Sequence, residues 1–129
     1  MDKIANMLIM LKNAGTAGKD TVVVPHSNLK SAIADCLVKA KFIANVSKKT
    51  TEGNKAVLEI TLLKEGKAPR ITQVERISKP SKRVYIKASQ IKPVRNGFGV
   101  MVLSTPKGIL MASEARKELV GGEALFRIW

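Results

Sequence analysis

Cysteine and histidine are almost missing from this chain of 129 residues, with one of each, Cys36 and His26. A single cysteine excludes an internal disulfide framework and any cysteine-based zinc finger. A single histidine excludes a multi-histidine metal site and leaves a histidine-dependent triad only one candidate. Aromatic residues are 4% of the chain, and acidic residues number 10 against 23 basic ones. No apolar run approaches the ~18 residues that span a bilayer. The run at residues 7–11 is broken at once by Lys12 and Asn13. No convincing small-residue cleavage site follows it, so no secretory leader is expected, and one free thiol suits a reducing cytoplasm. Familiar hydrolase or metalloenzyme chemistry has little to work with here. No cofactor and no metal are expected, and the chain reads as not an enzyme.

What is present is apolar bulk and positive charge. Hydrophobic residues make up 45%, enough for a packed core of Val, Ile, Leu, Ala and Met. The formal net charge is +13. At this length such an excess points to a polyanionic partner. Residues 1–70 carry 12 basic and 6 acidic side chains, and residues 71–129 carry 11 and 4. Arg76, Lys79, Lys82, Arg83, Lys87, Lys92 and Arg95 lie in a stretch with no Asp or Glu. That stretch has strand and turn patterning, so it predicts a folded basic surface able to read nucleic-acid shape.

Asp2 is a candidate N-cap for a helix over about 3–14, with Ile4, Met7, Leu8 and Leu11 at helical spacing and Gly15 as its end. The three valines 22–24 before Pro25 predict a short strand. Ser27 caps a second helix whose stripe is Leu29, Ala32, Ile33, Cys36, Leu37 and Ala40. Cys36 reads as a small buried hydrophobe and His26 as a turn or cap residue. Residues 42–46 and 56–63 predict a hairpin around Glu52-Gly53-Asn54. Glu65-Gly66-Lys67-Ala68-Pro69 is a polar break. Beyond it, strands are predicted at 71–77, 83–86, 100–103, 109–111 and 123–129, with a turn at 78–81. A single helical turn is placed at 91–94, a glycine turn at Asn96-Gly97-Phe98-Gly99, and a helix capped by Ser113 at about 114–119. The expected class is α+β with two small subdomains: α-β-α-β-β over 1–66, and a β-rich part with one short helix over 70–129.

Three motifs carry candidate chemistry. Asn96-Gly97-Phe98-Gly99 lacks the third glycine of a dinucleotide fingerprint and precedes a strand, so it reads as a turn. Ser104-Thr105-Pro106-Lys107-Gly108 gathers two hydroxyls, a cation and a glycine in an expected loop; it is either a plain hairpin loop or a contact to base edges, 2′-OH groups and phosphate. Val120-Gly121-Gly122-Glu123 reads partly as a helix C-cap and partly as backbone that a nucleotide can approach closely. Tyr85 is either a half-buried sheet residue or a stacking platform. Phe42, Phe98, Phe126 and Trp129 are assigned to packing.

Taken in order, these signals resemble one family nearly end to end. Asp2 with the helix ending near Asn13-Ala14, Pro25 to Lys30, and the run from Ile77 through Lys82-Arg83-Val84-Tyr85 match it. Asn96-Gly97-Phe98-Gly99-Val100, Ser104-Thr105 with Lys107-Gly108, Glu114-Ala115-Arg116-Lys117 and Val120-Gly121-Gly122-Glu123 complete the match. The chain is similar to the family of the eighth protein of the small ribosomal subunit, in its bacterial form (uS8). The resemblance implies direct binding to an irregular stem in the central domain of 16S rRNA, mainly through the C-terminal part, and a role in assembly. It implies neighbouring small-subunit proteins as partners and, in some members, binding to their own operon mRNA. It makes Ser104, Thr105 and Lys107 principal RNA contacts. Pro106 stands where the family usually has a third hydroxyl residue, and it supplies neither that hydroxyl nor a backbone donor.

The expected interface is therefore Ser104, Thr105, Lys107, Gly108, Tyr85, Lys82, Arg83, Lys87, Gly121, Gly122 and Glu123. No membrane and no small-molecule substrate are expected. Two rivals remain on residues alone. A DNA-organising protein would need wedge residues or a symmetric dimer. An enzyme on a phosphorylated substrate would use Asn96 to Gly99 as a phosphate loop and Glu123 as base, but His26 is remote in sequence.

Overall fold

The computed structural model describes residues 3–65, 68–69, 71–91 and 99–129. These fall into two compact units, Lys3–Thr72 and Gln73–Trp129. The expected Asp2 cap, the residues Gly66, Lys67, Arg70, Lys92, Pro93 and Arg95, and the Asn96-Gly97-Phe98 part of the glycine turn lie outside the described residues.

In the first unit, the apolar spacing at the N-terminus becomes α1, Lys3–Thr16, with Ile4, Met7, Leu8 and Leu11 all buried. The helix runs through Gly15 rather than ending there. Lys19 N–H donates to the Ala14 carbonyl (2.9 Å) and Gly18 N–H to that of Gly15 (3.1 Å). This is the paired C-terminal closure that places residue 18 in left-handed conformation. Strand β1, Thr21–Pro25, buries Val22 and Val24 and exposes Val23. Helix α2, Asn28–Lys39, is capped by Ser27, whose Oγ accepts from Lys30 N–H at 3.1 Å. Its buried face is Ile33, Ala34, Cys36 and Leu37. Leu29, expected on that stripe, is exposed instead; it lies in the first turn, at the edge of the packed face.

Strands β2, Ile43–Thr50, and β3, Ala56–Leu62, form the expected hairpin. The sheet order is β1-β3-β2, both pairings antiparallel. Leu58 and Ile60 point into the core while Val57 and Glu59 do not. Two short strands, β4 (Lys64–Glu65) and β5 (Ala68–Pro69), pair across the polar break.

The second unit is built around one strand. β6 (Val74–Arg76) and β7 (Tyr85–Ile86) lie end to end along one edge of β10 (Gly122–Ile128), while β8 (Val100–Thr105) pairs its other edge and then β9 (Gly108–Met111). The strands expected at 71–77 and 83–86 are thus much shorter. Ser78 interrupts them: fully buried, its Oγ accepts from Val84 N–H (2.8 Å) and donates to the Val84 carbonyl (3.2 Å). Lys79 and Lys82 exchange two backbone hydrogen bonds, so the expected turn projects as a tight basic tip. A 3-10 turn forms at Ala88–Gln90, while the helical turn expected at 91–94 lies, from residue 92 on, outside the described residues. Gln90 Oε1 accepts from Lys87 N–H (2.9 Å), which anchors it there.

Helix α3 spans Ala112–Lys117, earlier than expected. Ser113 is inside it, not its cap. Met111 occupies the cap position, and Glu114 Oε1 accepts from Met111 N–H (3.2 Å). Nor do the glycines cap its C-terminus: Leu119 takes the left-handed conformation (φ 57), with Val120 N–H donating to the Ala115 carbonyl (3.1 Å). Ala112 and Ala115 pack with Leu103, Ala124 and Ile91 in the core of this unit. The described helices and antiparallel sheets make an α+β fold.

Candidate nucleic-acid interface

The backbone at the start of β10 leaves no room for side chains. A Cβ on Gly122 would collide with the Ser104 carbonyl oxygen and lie 2.8 Å from its carbon. One on Gly121 would meet the Ile86 carbonyl and lie 2.9 Å from both Ala88 N and Lys87 Cα. Any larger residue would push β10 away from β7 and β8, so glycine is required by proximity. The result is a backbone floor with side chains only at its sides.

Glu123 is the register partner of Tyr85 on β7 and of Ser104 on β8. Residues directly opposite one another in an antiparallel pair leave the sheet on the same face. Tyr85, Glu123 and Ser104 therefore form one row across three strands. They line an open groove of about 850 Å³ with Ile86, Lys87, Ala88, Gln90, Thr105, Pro106, Gly121 and Gly122. Tyr85 is 70% exposed, so its ring is not spent on the core. The Glu123 carboxylate takes Arg83 Nη1 at 3.1 Å, which offsets its charge and leaves Lys87 as the charged side chain on the groove wall.

The two hydroxyls differ. The expected 104–108 loop is corrected: Ser104 and Thr105 belong to β8 and Gly108 opens β9, so only Pro106 and Lys107 form the turn. Thr105 Oγ1 donates to the Gly108 carbonyl (2.8 Å) and accepts from Lys107 N–H (3.1 Å). Its hydroxyl proton is committed to the turn. The half-buried Ser104 hydroxyl has no partner among the described residues.

The structure thus gathers Tyr85, Lys87, Ser104, Thr105, Gly121, Gly122 and Glu123, with Arg83 joined through its ion pair. It does not bring in Lys82, at the tip of the 79–82 turn, nor Lys107 and Gly108. Lys107 Nζ instead meets Glu118 Oε2 at 2.9 Å, both half exposed. Gly108 serves the turn through its positive φ of 106. Sequence reasoning missed Gln90, Ala88 and Ile86, because nothing in their spacing announces a 3-10 turn beside β10.

Glu123, the base that an enzymatic reading would need, is paired with Arg83. Among the described residues no group of three or more His, Cys, Asp or Glu could hold a metal. No described helix is long and apolar enough to cross a membrane.

The profile of the family described as ribosomal protein S8 matches residues 2–129. The small ribosomal subunit protein uS8 of Persephonella marina is 43% identical over 133 residues, covering 99% of this chain and 98% of its own. That of Ruminiclostridium cellulolyticum is 41% identical over 128 residues, covering 99% and 97%. That of Mycoplasmopsis synoviae is 38% identical with the same coverage. The class is therefore a ribosomal protein, a structural component rather than an enzyme. The chain belongs to the ribosomal protein S8 family. As such it is part of the ribosome, which lies in the cytoplasm.

Proposed function

We propose that this protein binds the central domain of 16S rRNA directly, through residues 70–129, and so fixes an irregular stem early in assembly of the small subunit. The observation that carries the reading is the Tyr85–Glu123–Ser104 row over a glycine floor. A groove whose carboxylate is already paired suits unstacked bases and 2′-OH groups, whereas the cations at its wall and around it suit phosphates. Tyr85 supplies a stacking face and Ser104 a hydroxyl without a partner among the described residues. Glu123 accepts from base amino groups or a 2′-OH. Gly121 and Gly122 let a sugar or base come down onto the backbone. Lys82, Arg83, Lys87 and Lys107 position the phosphates; Lys107 first exchanges Glu118 for RNA. A stem of the same shape in its own operon mRNA would compete for this groove.

The test is a competition between the central-domain stem and a scrambled stem across a salt series. The expected result is preference for the cognate stem, with log K falling linearly against log salt by several units. Equal binding of both stems, or a flat response to salt, would remove this reading.

A further inference from the structure

A second groove in the same unit shares Ala88 with the first. It has a volume of about 640 Å³ and is lined by Ala88, Ser89, Ile91, Arg116, Lys117 and Leu119. We infer that bound RNA continues across the Ala88–Gln90 turn into this groove, where Arg116 and Lys117 take backbone phosphates and Leu119 packs on a ribose or base. The inference rests on the RNA-binding reading above and extends its footprint.

Charge comes first. Arg116 and Lys117 are exposed, and neither has an ion-pair partner among the described residues. The nearby acids are engaged elsewhere: Glu118 takes Lys107, and Glu114 accepts from Met111 N–H. Two uncompensated cations beside an open recess fit an anionic strand. Cations in the last turn of a helix also complement its dipole, so charge alone does not mark a binding surface.

Leu119 adds an independent feature. All three helices end in the same closure, with residue C′ left-handed: Gly18 at φ 78, Lys41 at 64 and Leu119 at 57. Glycine takes this conformation at least cost. Leucine there is strained, and its side chain is 82% exposed, so the protein's own packing recovers little from it. Lining the same groove as Arg116 and Lys117, it presents an apolar surface of the kind a ribose or base face covers. The shared Ala88 then fixes the path: a strand leaving the Tyr85 groove reaches Arg116 and Lys117 by crossing one 3-10 turn.

The test uses the full chain and the central-domain stem. Arg116→Gln with Lys117→Gln should weaken binding about tenfold and make the salt slope shallower by about 1.5, the share of two phosphates. Leu119→Gly should raise the melting temperature yet weaken binding several-fold, a combination that a purely structural role does not produce. Ribose protections lost in the double variant should adjoin, and differ from, those lost in Tyr85→Ala. If the slope stays at its wild-type value and Leu119→Gly binds like wild type, the cations serve only the helix and the inference is overturned. It is equally overturned if RNA binding is intact but a neighbouring ribosomal protein no longer joins reconstituted subunits, since the surface is then a protein dock. If the wild-type chain itself shows no preference for the stem, the proposed function falls first.

Discussion

Each unit contains a row of three register partners, and the two rows are close chemical analogues. In the first, Val23, Glu59 and Ser47 lie across β1, β3 and β2. In the second, Tyr85, Glu123 and Ser104 lie across β7, β10 and β8. Each glutamate holds a cation, Lys49 at 3.0 Å and Arg83 at 3.1 Å. The second row lies whole within one groove. Of the first, Val23 alone lines the recess beside α1. Burial differs too: the Glu59 side chain is 34% exposed and that of Glu123 only 15%. The lesson is that charge and residue type do not make a site by themselves. The glycine pair lowers the backbone under the second row, and an aromatic replaces valine at its open end.

The comparison breaks most severely at Gly122. Gly122→Ala puts a methyl group into the Ser104 carbonyl, and overpacking of this kind costs about 3 kcal/mol when backbone must move. Urea unfolding should report that loss, and RNA affinity should fall with it. Ser47→Ala, in the other row, should change stability by no more than about 0.5 kcal/mol. A Gly122→Ala protein with wild-type stability would mean that β10 does not lie this close to β8.

Tyr85→Ala comes next. Loss of a stacking ring costs about 1–3 kcal/mol of binding. Stability should hardly change, because the side chain is mostly solvent-facing. Val23→Ala should leave RNA affinity untouched. Matching losses for the two would place the contact on both sheets and dissolve the distinction between them.

Much of this was legible beforehand. The first unit's elements followed from 3.6-residue spacing in α1 and α2 and from Gly53 between two alternating segments, where local preference and tertiary demand agree. The second unit is less legible in sequence, because its strands are set by a partner. β6 and β7 are two short pieces on one long strand, and buried Ser78 separates them; a serine in a polar run gives no sign of that. Tyr85, Lys87, Ser104, Gly121, Gly122 and Glu123, each singled out by residue type, line one groove. Thr105 and Lys107 could not be sorted from Ser104 by type, since their hydrogen bonds to Gly108 and Glu118 exist only once the hairpin and α3 have formed.

That sorting yields the third prediction. Ser104→Ala should cost about 1–3 kcal/mol of cognate binding, because a desolvated RNA group loses its partner, and it should leave stability alone. Thr105→Ala removes two hydrogen bonds from the turn and should cost about 1 kcal/mol of stability. Its effect on binding would then be indirect. The pair should be measured on cognate and scrambled stems alongside thermal melts. The reverse pattern, with Thr105→Ala weakening only cognate binding and Ser104→Ala only stability, would move the specific contact to Thr105.

The smallest effect is purely electrostatic. Lys87 lines the groove and has no ion-pair partner among the described residues, whereas Lys49 is held by Glu59 in the other unit. A lysine that meets a phosphate releases about one condensed cation, so Lys87→Ala should make the salt slope shallower by about 0.7–0.9. The loss of affinity should be mild and similar for cognate and scrambled RNA, since a phosphate contact carries no sequence information. Lys49→Ala should leave the slope unchanged. It removes one positive charge from a chain with net +13, the same change as Lys87→Ala, so the two variants share any long-range effect of total charge. The difference between their slopes then isolates the local contact. If both slopes change equally, the RNA responds to the overall field, and the second row gains nothing electrostatically from its surroundings.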